Sequence, residues 1–95
     1  MNFVTRERSA APDVIAPDGS EVRLLAASSR GSMAQFTLPP GAVSKPVAHR
    51  TVEEVWLVIG GRGRMWRKLG DAEETVVLKP GVSIAIPVGA SFQFR

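Results

Sequence analysis

Few residues in this chain have chemistry to offer. Its 95 residues include one histidine, His49, and no cysteine. Thiolate nucleophiles, disulfides and cysteine-ligated zinc or iron–sulfur sites are therefore excluded. Shortly after His49 comes Glu54, heading the apolar stretch Val55-Trp56-Leu57-Val58-Ile59. A carboxylate in such a stretch is costly to bury unless it is paired or protonated. It needs His49, an arginine such as Arg64 or Arg95, or a metal beside it. A His49–Glu54 hydrogen bond would make a proton-transfer pair. The plainer alternative for His49 is a half-buried imidazole hydrogen-bonded to backbone. Trp56 shares a strand face with Glu54, so it either stacks on a ligand or belongs to the core. Arg64 and Arg67 fall on opposite faces of one strand, so at least one reaches solvent. An inward Arg64 or Arg95 would select a carboxylate or phosphate. With a single histidine, a hydrolase triad has little support.

The elements that must position these residues read as strands. The runs are Glu21 to Ala27, Met33 to Leu38, Val52 to Ile59, Arg64 to Leu69, Thr75 to Leu78, Ser83 to Ile86 and Ser91 to Phe94. Between them stand Ser29-Arg30-Gly31, Pro39-Pro40-Gly41, Gly60-Gly61-Arg62-Gly63, Gly70-Asp71, Pro80-Gly81 and Pro87-Val88-Gly89. Short β-branched runs at spacings of about 10 residues, punctuated by Gly and Pro, indicate an all-β sandwich or barrel. The Gly60–Gly63 cluster reads as a hairpin turn, because no helix-opening segment or Gly-Lys-Ser/Thr pattern follows it. Residues 1–20 read as an extended N-terminal arm ending in the turn Ala16-Pro17-Asp18-Gly19, and residues 21–95 as the barrel domain. Both parities of the run Val52–Ile59 become apolar after Glu54, which predicts burial on both faces. Phe92 and Phe94 share one face of the last run, which should be a core face.

Composition narrows the partners. Twelve cations outnumber nine acids, for a formal net charge of +3. The acids are interspersed, no block of like charges exists, and no nucleic-acid-binding motif accompanies the arginines, so nucleic acid is not expected. No apolar run approaches the roughly 18 residues of a membrane helix, and the charged N-terminus lacks a signal-peptide core. A cytoplasmic protein without membrane association is expected.

Two spaced motifs now carry a resemblance. Gly41, five residues, Val47-Ala48-His49, four residues, Glu54, six residues and Gly61 form the first; Gly81, five residues, Pro87-Val88-Gly89, two residues and Phe92 form the second. Both spacings resemble the two motifs of the cupins, small β-barrels of jelly-roll type. The resemblance implies a cupin-type jelly-roll β-barrel, and a divalent metal (Zn, Fe, Ni or Mn) held by three histidines and a glutamate. Carried over, those four positions are Val47, His49, Glu54 and Phe92, so the metal-ligand candidates are His49 and Glu54 alone. Gln93, Ser91 and Gln35 are weak third donors. Ligand-pocket candidates are Trp56, Phe92, Phe94, Gln35 and Arg64.

The second motif is cut at Arg95, so the barrel reads as C-terminally short, and a homodimer through strand pairing or exchange is expected to complete it. The leading functional expectation is a small-molecule-binding or accessory module with a degenerate metal site, its ligand small and anionic or carbohydrate-like. The alternative is a metal-dependent cupin enzyme of dioxygenase, isomerase or decarboxylase type using His49 and Glu54. A third reading is a truncated dimerisation module without an active site.

Overall fold

The structure, a computed structural model, describes residues 3–95. All its regular elements are strands, and every pairing is antiparallel, so the all-β expectation holds. The chain divides into two compact units, Met1–Pro40 and Gly41–Arg95.

The first unit is a three-stranded sheet of β1 (Val14–Ile15), β2 (Glu21–Ala27) and β3 (Ser32–Thr37), in that order. The Pro17-Asp18-Gly19 turn sets the β1–β2 register. Gly19 N donates to Ala16 O at 2.9 Å, and Asp18 Oδ1 accepts from both N and Oγ of Ser20. The buried Arg23 ties the segment before β1 to the sheet: its Nε donates to Ser9 O at 3.0 Å and its Nη2 to Ala10 O at 2.9 Å. Gln35 lies on β3, where its Oε1 accepts from Arg8 Nε.

The second unit carries β4 (Val47–Ala48), β5 (Glu54–Leu57), β6 (Gly63–Leu69), β7 (Ala72–Leu78), β8 (Ser83–Ile86) and β9 (Ser91–Phe94). One sheet runs β4-β9-β6-β7; the other pairs β5 with β8. Alternation decides the faces. Met65 on β6, Leu78 on β7, and Phe92 and Phe94 on β9 are buried, as are Ile84 and Ile86 on β8. Trp56 of β5 meets Phe92 and Phe94 edge-on, at ring-centroid distances of 6.0 and 5.0 Å, joining the two inner faces. Offset and edge-on pairs of this kind add about 0.5–1.5 kcal/mol beyond the area they bury. Gly81, with φ at +93°, turns the chain into β8, and its N donates to Val58 O at 2.9 Å.

One expectation fails here. The Val52–Ile59 run is not buried on both faces: Val55 is 84% and Leu57 63% exposed. The strand itself spans only Glu54–Leu57, and among the described residues it pairs with β8 alone. Packing against the phenylalanines uses the Trp56 side and leaves the other side open.

Candidate functional site

His49 leaves β4 on the same face as Val47, by strand alternation. Its backbone is fixed from across the fold: Gly89 N, in the turn of the second motif, donates to His49 O at 2.8 Å. Glu54 opens β5 opposite Ile86 of β8, on the Trp56 side. These two placements bring His49 Nε2 to 3.2 Å from Glu54 Oε2. The approach is within ion-pair reach but is not aligned as an N–H···O bond, so Oε2 is buried with no hydrogen bond of good geometry. His49 itself stays accessible, its side chain 39% exposed against 24% for Glu54.

The ground beneath the pair is aromatic. The Phe92 ring sits 5.6 Å from the His49 ring, tilted by 46°. Phe92, only 3% exposed, together with Phe94 and the edge-on Trp56 forms packed core below the pair. The pair is therefore a rim feature standing over a filled interior.

Arg67, placed by the sequence on the strand face opposite Arg64 but not among the site candidates, is an inner-face charge. Opposite Phe92 in the β6–β9 register, it sends Nη1 to Ala85 O at 2.7 Å and Nη2 to Glu74. Its Nε is buried without a partner. The available signal was parity, since Arg67 shares its face with Met65, the most buried side chain of β6.

Of the other expected site residues, Arg64 is exposed on the outer face of β6, and Arg95 is likewise exposed. Ser91 and Gln93 alternate with Phe92 and so point to that outer face; Gln93 Nε2 donates to Ser44 O at 2.9 Å. Gln35 belongs to the first unit and is occupied by Arg8. Neither Ser91 nor Gln93 is placed on the face that carries His49.

The donor set does not fit the metal that the motif resemblance implies. Val47 and Phe92, which stand at two of the four ligand positions, are direct cross-strand partners in the β4–β9 register. Half of the coordination shell is thus an apolar pair with no donor atom. Zinc and its first-row neighbours ordinarily take at least three protein ligands, and no group of three or more His, Cys, Asp or Glu comes together among the described residues.

A family model described as a cupin domain matches residues 34–95. No curated protein and no solved structure matches the chain. No helix among the described residues is long and apolar enough to cross a membrane.

Proposed function

The chain belongs to the cupin family, a small member of all-β jelly-roll type, and on that premise we propose that it is a small-molecule-binding module whose recognition element is the His49–Glu54 pair. The ligand class is a neutral, hydroxyl-rich molecule of carbohydrate type. One observation carries this reading: Glu54 Oε2 is a buried acceptor lacking an aligned hydrogen bond, although an accessible imidazole stands 3.2 Å away. A buried acceptor left without a bond costs about 1–3 kcal/mol. A ligand hydroxyl at this position would accept from the imidazole N–H and, with the Glu54 carboxylate turned toward it, donate its proton to Oε2. The same hydroxyl would direct its proton at the Glu54 carboxylate, so binding and proton transfer to Glu54 share one geometry.

Titrating the full chain with glucose, glycerol and glucuronate, followed by Trp fluorescence and amide chemical shifts, tests the proposal. Saturable binding of glucose is expected, weakened at least tenfold in His49→Ala and in Glu54→Gln. Absence of saturation with all three probes, or an affinity unmoved by both substitutions, would sink it. Tighter binding of glucuronate than glucose would contradict the neutral class, because Glu54 repels a carboxylate.

A further inference from the structure

The outer face of the β9-β6-β7 sheet presents a second arrangement. Arg64 N donates to Arg95 O at 2.7 Å, and Arg95 N donates back to Arg64 O at 3.0 Å. This reciprocal exchange makes them a directly opposed, hydrogen-bonded pair, with both side chains on the same face. Like charges in that relation destabilise a sheet. Arg62, in the turn leading into β6, adds a third cation to the same groove. None of the three guanidiniums has an ion-pair or hydrogen-bond partner among the described residues.

The groove is built rather than accidental. It is an open depression of about 540 Å³, walled by Ala42 and Val43. That wall is pinned to β9 through Ser44, whose N donates to Phe94 O at 2.8 Å and whose Oγ accepts from Phe94 N at 3.0 Å. The close approach of β6 and β9 requires Gly63, since a Cβ there would stand 1.9 Å from Arg95 O. A smaller hollow of about 200 Å³ continues from the arginines along Trp66, Thr75 and Gln93. At the far end of the same face the charges are already matched. Lys68 stands opposite Glu73, and Glu73 Oε1 accepts from Trp66 Nε1 at 2.7 Å. Arg64, by contrast, stands opposite Val77 on β7 and Arg95 on β9, with no acidic side chain across from it.

We propose that this groove binds a small phosphorylated molecule, its multiply charged oxyanion held between Arg62, Arg64 and Arg95. Guanidinium groups engage such oxyanions in bidentate fashion, and the open groove leaves all three accessible to an anion from solvent. The site is independent of the His49–Glu54 pair and requires no residue of it.

Inorganic pyrophosphate, titrated into the isotope-labelled full chain against sodium chloride at matched ionic strength, tests the proposal. Saturable amide shifts are expected at Gly63, Arg64, Gln93 and Arg95, with His49 unmoved. Arg62→Gln, in a turn and so structurally mild, should weaken binding several-fold, Arg64→Lys likewise through loss of the bidentate fork, and an Arg64→Gln/Arg95→Gln pair at least tenfold. Equal shifts with chloride, or an affinity unchanged in Arg62→Gln and Arg64→Lys, would overturn the site. Citrate binding as tightly as pyrophosphate would overturn the phosphate assignment. Persistence of pyrophosphate binding in His49→Ala is expected, and its loss there would refute independence from the rim pair.

Discussion

The two faces of the β9-β6-β7 sheet treat charge in opposite ways. On the inner side Arg67 is set against Glu74 and the Ala85 carbonyl, and His49 meets Glu54 at the rim. On the outer side Arg64 and Arg95 face each other with no acid between them. Physical necessity explains the first arrangement, because charges withdrawn from water must be compensated. Water tolerates the second: two unit charges about 4 Å apart interact by only about 1 kcal/mol in bulk solvent. Folding therefore constrains the inner charges and leaves the outer ones free. The outer arginine pair is thus free to serve the proposed oxyanion, and on the inner side only the unbonded Glu54 Oε2 is left for a ligand to answer.

Substitutions on the two faces test this contrast. The largest effect is expected from Phe92→Ala, which removes the ring beneath His49 and against Trp56. A loss of about 3–5 kcal/mol in urea unfolding is expected, as for other buried aromatic truncations. Gly63→Ala comes next, at about 1–3 kcal/mol, since its methyl group must displace the Arg95 carbonyl. Loss of slow amide exchange at Arg64 and Arg95 should accompany it. Arg64→Glu has the opposite sign. It replaces a like-charge pair with an opposite-charge one, so stability should rise by about 0.2–1 kcal/mol, while pyrophosphate binding is lost. Val55→Thr, on the open face of β5, should change stability by less than about 0.5 kcal/mol. A loss several times larger would show that this face is covered in solution.

Much of the fold can be read from residue order. Glu21–Ala27, Ser83–Ile86 and Ser91–Phe94 are strands with the expected bounds because alternation and flanking turn residues agree there. The β7 strand begins earlier than the Thr75–Leu78 run, at Ala72. Glu73 and Glu74 have weak strand propensity, but the hairpin register with Lys68 and Arg67 extends the ladder through them. The two-residue strands β1 and β4 carry no local signal, since each exists only through its partner. The apolar run after Glu54 misleads because composition shows which residues are apolar, not how many layers cover them.

The site divides in the same way. His49 and Glu54 are visible through motif spacing, and the structure sets them 3.2 Å apart. That Val47 and Phe92 oppose each other directly, closing half of the coordination shell, depends on the β4–β9 register. The Arg64–Arg95 opposition depends likewise on a pairing between strands far apart in sequence. Neither register is encoded locally.

His49 and Glu54 are proposed to hold a hydroxyl between them, rather than to be two ligands of a metal ion. Elemental analysis of the full chain, purified without chelator and dialysed against Zn²⁺ and Mn²⁺, tests it most directly. The expected result is far less than one equivalent retained, with no difference between wild type, His49→Ala and Glu54→Gln. One equivalent held by the wild type and lost in both variants would contradict it.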